Sequence, residues 1–242
     1  MSFAALQDGV NLSAGIDSLG VAAVPESVGG VILGDWRPAK REAVLTGLGS
    51  VDGEGLGNAL VHGLGLLEAA DGRLLTGRHM RSILDRSGLY LVVKTNTAYS
   101  VEVANTVCNA LAKRLNLRDE VRDNMELALH EALINGLIHG NLEISSTDRH
   151  TLARFAEYCE SIENRLADQS WGSRPIEVFA TWTPLTIDVS VVDCGRGYDH
   201  QSIGKSNDPA RKSGRGLQLI STLAQDVEIG DGGRRLSMRF NR

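Results

Sequence analysis

Cysteine is scarce in this 242-residue chain: Cys108, Cys159 and Cys194 are all there is. The count is odd and the spacing fits no zinc-type pair, so neither a disulfide framework nor a structural metal site is expected. A reducing, cytoplasmic setting is the simplest expectation. No apolar run reaches the ~18–20 residues that a membrane-spanning helix needs. The N-terminus lacks the basic-then-apolar order of a secretion signal, so no membrane partner is expected. A basic stripe is missing too. The 25 Lys and Arg against 30 Asp and Glu leave a net charge of −5, with both signs interspersed. That balance argues against direct nucleic-acid binding. There is no internal repeat.

Glycine, by contrast, is abundant and unevenly spread. Of the 27 glycines, 15 fall in the first 77 residues. There the short apolar pieces Gly20–Val24 and Gly30–Gly34 read as strands. Ala59–Ala70 reads as a helix weakened by Gly63 and Gly65. No motif stands out, and residues 1–86 are expected to form a small glycine-rich α/β or β module. Residues 87–242 are expected to form a second domain.

In that second part the periodicities are clearer. Leu89–Lys94 is a strand by residue type. Ser100 is placed to cap a helix with the apolar stripe Val101, Ala104, Val107, Cys108, Leu111 and Leu115. Asn116, three residues before Asp119, resembles a capping box for the next helix. That helix is expected to run to about His139, with Gly140 as a left-handed cap. Thr147–Ala167 reads as a further helix, an insertion at about 143–172. Its Leu152, Phe155, Cys159, Ile162 and Leu166 make a seam of about two heptads, for packing on its own domain or on a partner. Ile176–Trp182 and Leu185–Val192 read as an antiparallel hairpin. Leu217–Ala224 reads as a short helix, and Val227–Ile229 with Arg235–Phe240 as a closing hairpin. The expected fold class is α+β: a two-layer sandwich of a mixed, mostly antiparallel sheet with helices on one face.

Chemistry enters with Glu126-Leu-Ala-Leu-His-Glu-Ala-Leu-Ile-Asn-Gly-Leu-Ile138, where Glu131 and Asn135 stand four apart, on one helix face. A carboxylate and a carboxamide are costly to bury there without partners. Asn offers a neutral oxygen suited to Mg2+, and Glu can accept a proton. The bland reading is a polar helix edge facing solvent. Downstream, Asp193-Cys-Gly-Arg-Gly197 ends a strand with a carboxylate able to accept from an exocyclic amine, beside Gly195 and Gly197. On its own this pattern is more commonly just a turn. Gly214-Arg-Gly216 precedes an apolar helix start, whose N–H groups favour phosphate, with Lys212 and Arg215 adding charge. His139 and Asn141 read as helix-end caps, with orienting the backbone near the site as the alternative, and Cys194 as packing at a strand end.

Taken in order, Glu-x-x-x-Asn on a helix, Asp-x-Gly-x-Gly after a strand and Gly-x-Gly before a helix resemble the N, G1 and G2 boxes of the GHKL, or Bergerat-fold, ATPases. Those include histidine kinases, a heat-shock chaperone, type II topoisomerases and bacterial anti-sigma-factor serine kinases. The wording His130-Glu-Ala-Leu-Ile-Asn-Gly-Leu-Ile-His-Gly-Asn141 looks most like the last branch. The resemblance spans roughly residues 88–242. It implies ATP and Mg2+ as cofactors, Glu131 as general base and Asn135 as Mg2+ ligand. It also implies Asp193 as the adenine-reading carboxylate, Gly195 and Gly197 beside the base, and Gly214 and Gly216 on the phosphate side. The implied activity is that of a protein serine/threonine kinase. Implied partners are a sigma factor, an anti-sigma-factor antagonist protein and a second copy of the chain. A non-catalytic ATP-binding regulatory module and a histidine-kinase-like ATPase are the alternatives. The short stretch between Gly197 and Gly214 argues against the long nucleotide lid of the histidine kinases.

Overall fold

A computed structural model describes residues 45–48, 56–57, 60, 65–70, 73–74, 79, 83, 88–145, 152–197 and 215–242. The expected strands at 20–24 and 30–34, and residues Lys212 and Gly214, lie outside these. Eight strands form one sheet: β1 (Leu45–Leu48), β2 (Gly65–Ala70), β3 (Arg73–Leu74), β4 (Gly88–Lys94), β5 (Pro175–Trp182), β6 (Thr186–Val192), β7 (Asp226–Gly230) and β8 (Arg235–Asn241). Their order is β1-β2-β4-β5-β6-β8-β7, with β3 beside β2. From β4 onward every neighbour is antiparallel, whereas β1, β2 and β4 are mutually parallel. Strands from before residue 87 thus extend the sheet that the later residues build.

Six helices accompany the sheet among the described residues. They are α1 (Thr95–Ser100), α2 (Val103–Leu115), α3 (Asp119–Ile134), α4 (Leu152–Ala167), α5 (Gln169–Gly172) and α6 (Arg215–Leu223). A wider, π-helical stretch, Asn135–Asn141, continues α3. Alternation along the strands decides what the helices cover. Leu89, Leu91 and Val93 of β4 and Ile176, Val178 and Ala180 of β5 join a core with Val107 and Leu111 of α2, Met125 and Leu129 of α3 and Ile220 of α6. The expected α+β sandwich, with helices packed on this face, is therefore present. The intervening positions Tyr90, Val92, Glu177 and Ser190 are buried as well. On that side the Tyr90 hydroxyl donates to Glu177 Oε2 at 3.0 Å, and His79 stacks on Phe179 with ring centroids 5.1 Å apart.

Several local readings change. Within Ala59–Ala70, Leu60 is helical but Gly65–Ala70 is a strand, paired in parallel with β1 and β4. Two glycines weaken a helix there, and the sheet edge supplies the hydrogen bonds instead. Ser100 ends α1 rather than starting α2, and its hydroxyl donates back to the Asn96 carbonyl at 2.8 Å. Asn116 is no capping box. It closes α2 in the left-handed conformation, φ 50°, with its N–H donating to the Ala112 carbonyl. Asparagine tolerates that conformation better than most residues. The seam of α4 is split. Ile162 and Leu166 pack with Ile138, Leu142 and Ile144, whereas Phe155 is 49% exposed. Arg165 and Arg174 both lie over the Trp171 ring, at 4.4 and 4.0 Å from its centroid, and Arg174 also donates to the Asn141 carbonyl at 2.8 Å, which ties the inserted helices to the domain.

Candidate functional site

The site grows from α3 and its π-helical extension. Val121, Met125, Ala128, Leu129, Ala132 and Leu133 bury one side of α3. Glu131 and Asn135 lie at the edge of that stripe, each half-buried. Among the described residues no hydrogen bond or ion pair reaches either side chain. A half-buried carboxylate and carboxamide without partners forgo the bonds that such groups ordinarily make. The start of α6 faces them. A Cβ at Gly216 would lie 2.8 Å from Glu131 Oε2 and 3.4 Å from Asn135 Nδ2. Glycine here lets the N-terminus of α6 come against the pair. The two are brought together across the chain although Gly216 is far from Asn135 in sequence.

Asp193 lies just past the end of β6 and is 8% exposed. Its N–H donates to the Arg234 carbonyl at 3.0 Å, and its Oδ1 accepts the Gly195 N–H at 2.8 Å. Apart from the Gly195 N–H and its own N–H, no described residue donates to the carboxylate, so acceptor capacity remains for a ligand. Burial pushes its pKa up from 3.8 to about 6, against the lowering pull of the Gly195 N–H and the Arg234 guanidinium.

Backbone contacts hold this turn against the α3 extension. A Cβ at Gly140 would lie 2.4 Å from Asp193 Cγ, and one at Gly195 would lie 2.5 Å from the Gly140 carbonyl oxygen. Gly140 is therefore not the left-handed cap expected of it. It is a point of close approach, and the helix passes through it in π geometry. Gly197 does adopt a positive φ, 75°, and lies against the Gly232 carbonyl. His139 Nδ1 sits 2.6 Å from the Ile144 carbonyl, as a helix-end residue would. Asn141 departs from that expectation. It is fully buried, and its Oδ1 accepts the Cys194 N–H at 2.7 Å. Cys194 itself exposes its side chain, so what the fold buries at that position is the backbone.

Of the residues singled out in the sequence, Glu131, Asn135 and Gly216 thus form one cluster. Asp193, Gly195 and Gly140 form a second, further along the same helix, and Gly136, which the sequence did not single out, also faces Asp193. Gly197 flanks the second. Arg215 opens α6, while Lys212 and Gly214 lie outside the described residues. The family model of the histidine kinase-like ATPase domain matches residues 94–240, more than half of the chain. This chain belongs to that family. It is thereby a GHKL-type ATP-binding module, in a family whose members bind ATP, usually with Mg2+. No curated protein matches the chain. Among the described residues of this ATPase domain no group of three or more His, Cys, Asp and Glu is arranged to hold a metal ion. Mg2+ needs no such cage when substrate phosphates and water complete its shell. Asn135, without a side-chain partner among the described residues and facing the start of α6 at Gly216, fits that mode of binding. Among the same residues no helix is long and apolar enough to cross a membrane.

Proposed function

We propose that this protein is a Mg-ATP-dependent serine/threonine kinase of the anti-sigma-factor type, controlling transcription by exchanging protein partners in the cytoplasm. One observation carries the reading: Glu131 and Asn135, half-buried and without partners among the described residues, face Gly216 at the N-terminus of α6. The resemblance of the His130–Asn141 stretch to that branch supplies the rest. A sigma factor and a small antagonist protein are the proposed partners, and the working form is a homodimer.

Each residue has a separate task in this reading. Asp193 accepts a hydrogen bond from the exocyclic amine of adenine. Gly195 and Gly197 keep the wall beside the base free of side chains. The N–H groups opening α6 at Gly216 serve the phosphates, and by the family resemblance Lys212, Gly214 and Arg215, which precede it in sequence, belong to the same phosphate side. Asn135 would hold Mg2+, which when bound neutralises phosphate charge. Glu131 takes the proton from the attacking serine or threonine hydroxyl as its oxygen bonds to the γ-phosphorus and the bond from that phosphorus to the β,γ-bridging oxygen breaks, releasing ADP. A binding module that never transfers phosphate has no need of a free carboxylate at Glu131, which favours the enzyme.

The test is to incubate the protein with γ-labelled ATP and the antagonist protein encoded nearby. Acid-stable label on a serine or threonine of the antagonist is expected. Nucleotide binding with no transfer leaves a regulatory module, and acid-labile label on histidine leaves a histidine-kinase-like ATPase.

A further inference from the structure

The proposed reading leaves one buried polar residue beside the site without a task. Asn141 is fully buried, and its carboxamide is saturated: both N–H groups donate and the oxygen accepts. Its Nδ2 donates to Thr95 Oγ1 at 2.8 Å and to the Pro175 carbonyl at 3.0 Å. Its Oδ1 receives the Cys194 N–H at 2.7 Å. Thr95 is fully buried too, and passes its own hydroxyl hydrogen to the Arg174 carbonyl at 2.7 Å. One side chain therefore joins the end of β4, the start of β5 and the turn after β6.

The turn is the part that matters chemically. The Asp193 N–H is held by the Arg234 carbonyl on one side. The next N–H, that of Cys194, is held by Asn141 on the other. Two consecutive peptide N–H groups anchored on opposite sides fix the rotation of the backbone from which the Asp193 carboxylate projects. The third N–H, of Gly195, takes Oδ1. With that oxygen bound, the other oxygen of Asp193 keeps its lone pairs for a ligand.

We propose that Asn141 is a positioning residue for base recognition. By holding the Cys194 N–H it aims the Asp193 carboxylate, and so sets the preference for an adenine base without touching the nucleotide. This rests on the reading of Asp193 as the residue that accepts from the adenine amine. A purely structural asparagine would weaken all nucleotide binding alike when removed. A positioning residue weakens the binding of bases that carry the exocyclic amine and spares those that lack it.

The experiment measures affinity for Mg-ATP and Mg-ITP, the inosine nucleotide having an oxo group in place of the amine. It uses the full chain as wild type, Asn141→Ala, Thr95→Val and Asp193→Asn, with near-ultraviolet circular dichroism to show that each is folded. The ATP-to-ITP preference is expected to drop about tenfold in Asn141→Ala, the scale of one hydrogen bond to a charged group, with ITP affinity changed less than about threefold. Thr95→Val keeps the shape but leaves Asn141 one acceptor short, and is expected to lower the preference about threefold. A folded Asn141→Ala with the wild-type ratio overturns the proposal. Should that variant not fold, an unchanged ratio in Thr95→Val overturns it instead. If Asp193→Asn keeps the wild-type ratio, the reading of Asp193 fails and the role of Asn141 falls with it, a result separable from the first two.

Discussion

Asn135 and Asn141 sit on one continuous helix, six residues apart, in opposite surroundings. Asn135 is half-buried, beside Glu131, and neither has a partner among the described residues. Asn141 is fully buried and every polar atom of its side chain is bonded. A fold stabilises itself by satisfying buried polar groups and gains nothing from leaving others unsatisfied. In the proposed reading the stretch around Asn135 faces the ligand, and the satisfied stretch around Asn141 builds the wall beside it. Asp193 belongs partly to each: one oxygen is bound by Gly195 and burial raises its pKa.

The sharpest way to break this contrast is at the unsatisfied end. Glu131→Gln removes the proposed base while keeping shape. Transfer of phosphate is expected to fall by about 10²–10⁴-fold, with ATP affinity changed less than about threefold. Label transfer and equilibrium binding measure the two separately, and transfer at the wild-type rate would remove Glu131 from the chemistry.

Asp193→Asn tests the intermediate position. ATP affinity is expected to drop about 10–100-fold, since a charge-assisted hydrogen bond is lost. Stability should move the other way. The folded carboxyl has a pKa of about 6 against 3.8, so its ionised form is disfavoured by folding. That penalty is absent below 3.8, grows as pH rises through about 6, and is complete above it. The variant, which keeps an oxygen for the Gly195 N–H, should therefore match the wild type near pH 4. It should exceed it by up to about 3 kcal/mol above about pH 7 in urea unfolding. A constant difference across pH would mean that the carboxyl is not buried as described.

Smaller effects are expected from the backbone that joins the two ends. Gly140→Ala puts a methyl group 2.4 Å from Asp193 Cγ. An unfolding cost of about 1–3 kcal/mol is expected, with weakened ATP binding. Thermal unfolding with and without ATP reads both, and a variant as stable as the wild type would show that the turn can move away. The smallest change is expected from Asn135→Ala, within about 0.5 kcal/mol in stability, because no protein bond is lost. Its effect should appear in Mg2+-dependent ATP binding alone. A cost like that of Gly140→Ala would show that Asn135 supports the fold and would erase the contrast with Asn141.

Much of this was legible along the chain. The hairpin of β5 and β6, the closing hairpin of β7 and β8, and the helices α2 and α3 follow from apolar periodicity, which reports which side of a segment meets the core. Glu131 and Asn135 stood out because their four-residue spacing puts two polar groups on an apolar helix. What misled were residues with two local uses. Gly140 follows a helix, which suits a cap, yet it is required because Asp193 arrives from the far end of β6. Asn116 precedes a helix, yet it closes the one before. Ser100 looks like a beginning and serves as an end. Gly65–Ala70 has little of its own to make it a strand, and pairs as one because β4 and β1 offer partners on either side.

The sequence by itself determined the α+β layers, the polar pair on α3 and the presence of three boxes, two of them glycine-bearing, in the order that marks the family. Periodicity and spacing are local properties, and local rules of helix and strand suffice to read them. Only the tertiary structure decided that Gly216 meets Glu131, that Gly140 yields room to Asp193, and that Asn141 holds a peptide 53 residues away. Those are contacts between distant segments, chosen by packing and by the need of buried N–H and C=O groups for partners, and no spacing along the chain encodes them.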